Sequence, residues 1–244
     1  MQIRHSTALV TGANRGIGRS LVEALLDRGA ERVYATARRI RTLDSVVELA
    51  PDRIVPLALD VTDRRQVQAA AERARDVSLL INNAGALAMG SVVDAPFELV
   101  ARDIDTNYYG PLHMIRAFAP ALTEQAGTRG AAIVNVLTIV ALASMPGLGA
   151  YNASKAAAWS LTQSARATLA GAGVQVVGVY PGAVDTDMIR DFEMAKTAPS
   201  VIAQATLDGV ETGAEDVFPD AMSRQLYEAW RADHKAVEHQ FASM

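Results

Sequence analysis

Short apolar runs alternate along this chain with longer segments whose apolar positions recur every three or four residues. The runs are Thr7 to Val10, Arg32 to Thr36, Ile54 to Leu59, Ser78 to Ile81, Ala132 to Val136 and Val174 to Val179. Their length and near-continuous apolarity predict buried strands. After the first run, Ile17, Leu21 and Leu25 fall on one line with Val22 and Leu26 beside it, and the segment closes at Gly29. That predicts an amphipathic helix with a glycine stop. Asp63 to Arg75, Phe97 to Leu122 and Tyr151 to Leu169 also read as helices. Pro111 and Pro120 are expected to kink or split the second of these, and Gly171 and Gly173 close the third. Strands that keep alternating with helices predict an α/β fold, a doubly wound parallel sheet with helices on both faces.

The C-terminal quarter is less regular. Asp185 to Pro199 mixes polar, Met and Phe residues with little periodicity. It follows the end of a strand, where open α/β sheets bind ligands, so a substrate lid is expected over about residues 185–200. Ser200 to Gly209 and Ser223 to Phe241 read as helices, the second belonging to a C-terminal extension over about residues 221–241. No repeat, low-complexity stretch or linker divides the chain, so residues 1–244 are read as a single domain.

Composition narrows the chemistry. Of 244 residues, half are hydrophobic and a fifth charged, with a net charge of −4. That balance argues against a nucleic-acid partner, whose phosphates select basic surfaces. There are no cysteines, which excludes disulfides and thiolate chemistry and leaves any zinc site to His and carboxylates. His5, His113, His234 and His239 are scattered, and the spacing of the last two suits no single helical face, so no metal is expected. The longest apolar run, Ala131 to Ala143, contains Asn135 and Thr138. It is shorter than the ~20 residues a bilayer requires. With no apolar leader before Thr11 and Gly12, the chain is expected to be soluble and cytoplasmic, without a membrane partner.

Thr11-Gly12-Ala13-Asn14-Arg15-Gly16-Ile17-Gly18 joins the first strand to the first helix. Glycines in such a turn allow positive φ and close backbone approach, and the free N–H groups of the helix make an anion site. The spacing is G-x-x-x-G-x-G, distinct from the commoner G-x-G-x-x-G dinucleotide fingerprint. The second strand ends in Ala35-Thr36-Ala37-Arg38-Arg39, with no carboxylate. In dinucleotide folds an acidic residue there holds the ribose 2′-hydroxyl, whereas an arginine pairs with a 2′-phosphate. Arg38, with Arg15 as a second charge, therefore points to NADP(H) over NAD(H). Tyr151 and Lys155 are four residues apart at the head of a helix, on one face. An ammonium near a phenol favours the phenolate. The expectation is a pKa lowered from about 10 towards neutral, suited to proton transfer near pH 7.

Together these pieces resemble the short-chain dehydrogenase/reductase family. The glycine turn, Asp60-Val61, Asn82-Asn83-Ala84-Gly85, Asn107, Tyr151-x-x-x-Lys155 and Pro181-Gly182-x-Val184-x-Thr186 match its motifs in order, from residue 7 to about 188. The resemblance implies a Rossmann-like fold and a role for each matching position. Gly12, Asn14, Arg15, Gly16, Ile17 and Gly18 would cradle the pyrophosphate, and Asp60 and Val61 would meet the adenine. Asn83, Ala84 and Gly85 would line the ribose and nicotinamide side. Lys155 would hold the nicotinamide ribose hydroxyls as well as tune Tyr151. The stretch from Pro181 through Val184 to Thr186 would hold the carboxamide, and Asn107 would keep a water that relays protons from Lys155 to solvent.

Two departures stand out. The family's serine thirteen residues before the tyrosine is here Thr138. It keeps the hydroxyl but adds a methyl that stiffens χ1 and crowds the pocket. Ala214-Glu215-Asp216-Val217-Phe218-Pro219 replaces the glycine-rich, acidic stretch that ends the last strand in many members. No expectation about C-terminal packing is carried over from them. The implied activity is NADPH-dependent reduction of a small or medium hydrophobic carbonyl compound, or the reverse alcohol oxidation, with Tyr151 as proton donor or acceptor. The alternatives are an NAD-dependent alcohol dehydrogenase and a non-catalytic NADP(H)-sensing regulator. The helices Phe97 to Leu122 and Tyr151 to Leu169 carry apolar residues beyond the need of one core face, among them Ala156, Ala157, Ala158 and Trp159. The family commonly pairs these two helices across a dimer axis, so the resemblance implies a homodimer or homotetramer.

Overall fold

The computed structural model describes residues 1–243, and its seven parallel strands form one sheet. β1 (Thr7–Val10), β2 (Arg32–Ala37), β3 (Ile54–Ala58), β4 (Leu79–Asn82), β5 (Ala131–Val136) and β6 (Val174–Val179) lie on the six apolar runs with only their ends adjusted; β7 (Asp216–Val217) completes the edge. The helices follow as α1 (Gly16–Asp27), α2 (Asp44–Val47), α3 (Arg64–Arg73), α4 (Phe97–Ile104), α5 (Gly110–Ala126), α6 (Gly149–Leu169), α7 (Pro199–Thr212), α8 (Ala221–Ala232) and α9 (His234–Ala242). Strand order is β3-β2-β1-β4-β5-β6-β7. The order reverses between β1 and β4, and such a reversal opens a crevice beyond the C-terminal strand ends.

The pleat feeds two cores. Ala8, Val10, Ala132 and Val134 face one side of the sheet, Leu9 and Ile133 the other. α1, α2 and α7 bury Leu21, Leu25, Val46, Ile202 and Leu207 on the first side. α3, α5 and α6 bury Val67, Met114, Phe118, Leu122 and Ala165 on the second. Each large apolar side chain removed from water in this way contributes about 2 kcal/mol.

Three features differ from the expected pattern. The segment from Phe97 to Leu122 is interrupted just before Pro111. α4 runs into a π turn, Asp105–Tyr109, closed by the Gly110 N–H on the Asp105 carbonyl. Pro111 follows this turn inside a helical path that continues without a gap from α4, and Pro120 lies further along the same helix. The segment from Ser223 to Phe241 is two helices, broken at Asp233, whose carboxylate caps α9 through Lys235 and Ala236 N–H. β7 is two residues long, too short for periodicity to mark. Within residues 185–200, one short 3-10 turn (Asp187–Ile189) forms and a bridge between Val184 and Thr197 ties the segment's ends.

The C-terminal helices are anchored to the sheet. Tyr180, Phe218, Tyr227 and Trp230 stack in sequence, with successive centroids 4.9, 3.8 and 6.3 Å apart. Trp159 of α6 meets Trp230 edge-on at 6.2 Å, so its apolar surface serves this contact. Buried Asp220 caps α8 through Ser223 N–H at 2.8 Å and also accepts Gly182 N–H at 2.8 Å, tying α8 to the loop after β6. No helix among the described residues is long and apolar enough to cross a membrane. Asp220→Ala loses the cap and leaves Gly182 N–H unpaired, so urea unfolding is expected to show a loss of about 2 kcal/mol.

Candidate active site

The turn after β1 leaves ordinary backbone at Gly12 (φ +65°) and Gly16 (φ +54°), where a β-carbon would be strained. Gly18 is needed for space instead: a side chain there would overlap the Gly12 carbonyl. The turn is braced from the end of β4. Asn83 Nδ2 donates to the carbonyls of Thr11 and Gly12 at 2.9 and 3.2 Å. The Thr11 hydroxyl accepts the N–H groups of Asn83 and Ala84, each at 2.9 Å. α1 then begins with no side-chain cap and no acidic residue in its first turn. Its first N–H groups therefore stay open to an anion lying in the turn.

A cavity of about 700 Å³ runs from this turn to α6. Apart from Asn107, every candidate cofactor and catalytic residue lines it. The candidates of the glycine turn meet Arg38 after β2, Asp60 and Val61 after β3, and Asn83, Ala84 and Gly85 after β4. Thr138 after β5 and Tyr151 and Lys155 on α6 face Pro181, Val184 and Thr186 after β6. Arg38 forms no salt bridge among the described residues, whereas Arg15 pairs with Asp187 at 3.0 Å and shares it with Arg190. The second charge expected from Arg15 is thus already partnered. Asp60 is braced by Thr62, whose N–H and hydroxyl reach its Oδ1 at 3.0 and 2.8 Å.

Tyr151 stands in the first turn of α6, buried against Ile139, Val140 and Leu148. Lys155 lies one turn further, its Nζ 5.9 Å from the centre of the Tyr151 ring and donating to the Val136 carbonyl at 2.8 Å. Thr138 Oγ1 donates to the Pro181 carbonyl and accepts from Val140 N–H, both at 3.4 Å. Bonds of that length are weak and leave the hydroxyl free for a better partner. Asn107 lies behind the cavity in the π turn. Its Nδ2 donates to the Ala86 carbonyl and to Ser154 Oγ, each at 2.8 Å, and its Oδ1 accepts Ala86 N–H at 2.9 Å. The amide ties the loop after β4 to α6, and both of its N–H groups are engaged.

A family model described as short chain dehydrogenase matches residues 6–197. The chain belongs to the short-chain dehydrogenase family. A short chain dehydrogenase from Burkholderia cenocepacia, solved in complex with NADP, is 42% identical, with a TM-score of 0.92 over 99% of both chains. An oxidoreductase of Staphylococcus saprophyticus is 30% identical over 85% of this chain and 92% of its own. “Probable oxidoreductase EphD” of Mycobacterium tuberculosis is 37% identical over 186 residues; the match spans 74% of this chain and only 31% of that relative's length.

Burial dominates the electrostatics of this site. It pushes the Tyr151 phenol above its ordinary value, with the Thr138 side chain pulling the other way and the Asp103 carboxylate adding to the rise. This reverses the expectation of a phenol near neutrality, because desolvation is the largest influence on the phenol. The same burial lowers Lys155 from 10.5 to about 8, opposed by Asp103. Asp103 was not singled out along the chain, since one acid on an amphipathic helix carries no local sign of burial. Nor were Met222, Leu226, Gln240 and Phe241, which line the outer half of the cavity from α8 and α9. The pattern from Ser223 to Phe241 marked an apolar face, but not what it would cover.

The unfolded chain holds the Lys155 proton up to 10.5 and the folded one only to about 8, so stability rises with pH across that window. Lys155→Met abolishes the penalty but loses the bond to Val136. The expected net effect near pH 7 is a gain of about 2 kcal/mol over the wild type. Urea titrations near pH 7 and pH 10 check that this gain fades as the wild-type lysine loses its proton.

Proposed function

We propose that this protein is an NADPH-dependent carbonyl reductase for neutral, apolar carbonyl compounds, reversible to alcohol oxidation. The observation that carries the reading is the convergence of Tyr151, Lys155 and Thr138 on the cavity that the glycine turn opens. The residues present fit the cofactor. Gly12, Gly16 and Gly18 leave room for a pyrophosphate, and the N-terminal N–H groups of α1 face it. The end of β2 offers the unpaired Arg38 and no carboxylate, which suits a 2′-phosphate. The NADP complex of the Burkholderia cenocepacia relative supports the same choice.

When bound, NADPH supplies the hydride that reduces the carbonyl carbon. Tyr151 donates its proton to the oxygen as negative charge develops there, and a phenol kept protonated by burial is in the right state to do so. The Thr138 hydroxyl, loosely held, is a second donor to that oxygen. Lys155, with a value of about 8, is charged near neutral pH and orients ribose hydroxyls beside Tyr151. Asn107 fixes the loop on which that ribose rests.

The outer half of the cavity defines the substrate. Leu87, Met145, Leu148, Phe192, Leu226 and Phe241 line it. The cationic lining residues, Arg15, Arg38 and Lys155, all stand on the cofactor side. A substrate phosphate or carboxylate would find no counter-charge in the outer half. Phe192 and Met194 bring the segment 185–197 over this half, where it serves as a lid. Val92, Val93 and Phe97 are 83, 85 and 87% exposed at the head of α4 and support pairing of two copies there.

The reading is tested by following NADPH oxidation against a panel of aldehydes and ketones. Tyr151→Phe is expected to keep NADPH affinity and to lose turnover about a thousandfold; wild-type rates in that variant would refute the proton-donor role. Arg38→Ala is expected to weaken NADPH about tenfold or more while leaving NADH nearly unchanged. Fluorescence titration with both cofactors measures the ratio, and equal weakening would reject the 2′-phosphate assignment.

A further inference from the structure

Asp103 is a carboxylate with no exposed surface, one helical turn before Asn107. Its Oδ2 accepts the backbone N–H of Ala88 at 2.7 Å, and Arg102, 45% exposed, reaches its Oδ1 from the solvent side at 3.1 Å. Asn107 holds the same loop two residues earlier, through the N–H and carbonyl of Ala86 at 2.9 and 2.8 Å. The loop starts at Gly85, where an added Cβ would lie 3.3 Å from Asn107 Oδ1 and 3.9 Å from Lys155 Nζ. Two polar side chains of one helical segment therefore clamp the backbone that packs against the Lys155 ammonium. A fully buried carboxylate is expensive, and a half-exposed arginine compensates it only in part.

We propose that Asp103 is a positioning residue of the active site, pinning the Gly85–Ala88 loop and placing its carboxylate behind Tyr151 and Lys155. The inference rests on the reductase reading of that pair. The surroundings support a specific role for the charge. α6 presents Tyr151 and Lys155, the loop presents only apolar side chains, and Arg102 closes the outside. In the π turn, Asp105 and Tyr109 are exposed and Tyr108 is half-buried. Among the described residues, Asp103 is the one charge that acts on both Tyr151 and Lys155, and it raises both. Removing it shifts the ionisation of the pair downward, whichever group carries the observed step. Asp103→Asn does this while keeping an oxygen for Ala88 N–H. Arg102→Ala does the opposite, because it strips the counter-charge and leaves the field of Asp103 uncompensated.

The experiment measures kcat/KM for alcohol oxidation against pH in the wild type, Asp103→Asn and Arg102→Ala. NADPH affinity and melting temperature are recorded alongside. The Lys155 titration, followed by NMR on 13C-labelled lysine, gives a midpoint that needs no turnover. The midpoint is expected to fall by about one pH unit in Asp103→Asn and to rise in Arg102→Ala. NADPH affinity is expected to stay within about threefold in both. Loosening of the loop alone would weaken NADPH and leave the midpoint in place. A midpoint that does not move, or that moves the same way in both variants, overturns the proposal. Should Asp103→Asn fail to fold, Arg102→Ala decides by itself, and an unmoved midpoint there is sufficient to reject it. A lysine midpoint that shifts as expected in a protein inactive toward every carbonyl tested would sink the reductase reading and leave the role of the charge intact.

Discussion

One buried ammonium sets the terms for this site. Lys155 lies beneath the surface with its Nζ on the Val136 carbonyl, and burial lowers its value from 10.5 to about 8. That shift corresponds to a penalty of about 3 kcal/mol for keeping the charged form folded. Cores on both faces of a parallel sheet, each with many apolar side chains worth about 2 kcal/mol, offset it. Around the lysine the chain supplies an acceptor from the end of β5, a loop held by Asn107, and the charge of Asp103. The π turn at Asp105–Tyr109 belongs to the same arrangement, since Asn107 lies within it and reaches both Ala86 and Ser154.

The cavity is divided electrostatically. Its inner half is built from backbone N–H groups, glycines and the cation Arg38, which suits phosphate. Its outer half is mostly apolar and is closed by α8, α9 and the segment after β6. Tyr151 and Thr138 sit at the boundary. In the proposed reaction a neutral carbonyl would meet two hydroxyl donors there, in surroundings dry enough for hydrogen bonds to be strong. Asp220 links the halves mechanically, holding Gly182 of the loop after β6 with one oxygen and the start of α8 with the other. The membership in the short-chain dehydrogenase family and the division of the cavity support one another: the shared part of the chain makes the inner half, and α8 and α9, which lie beyond the matched residues 6–197, wall the outer half.

Much of this could be read along the chain. Six of the seven strands were visible because a parallel strand covered on both faces is an unbroken apolar run. The glycine turn, Arg38 and the Tyr151–Lys155 spacing were visible because each is a local pattern whose geometry follows from a strand end or a helical turn. β7 escaped because two residues carry no period, and the break in the segment from Phe97 to Leu122 takes the form of a π turn, a geometry no periodicity announces. What the fold alone decided is which distant groups share a dry space. Ala88, Asp103 and Lys155 are scattered along the chain, as are Gly182 and Asp220, and only packing brings them together. The direction of the Tyr151 shift belongs to that second class. Spacing places an ammonium one turn away and argues for a more acidic phenol; burial, a property of the assembled sheet and helices, removes water from both groups and reverses the sign.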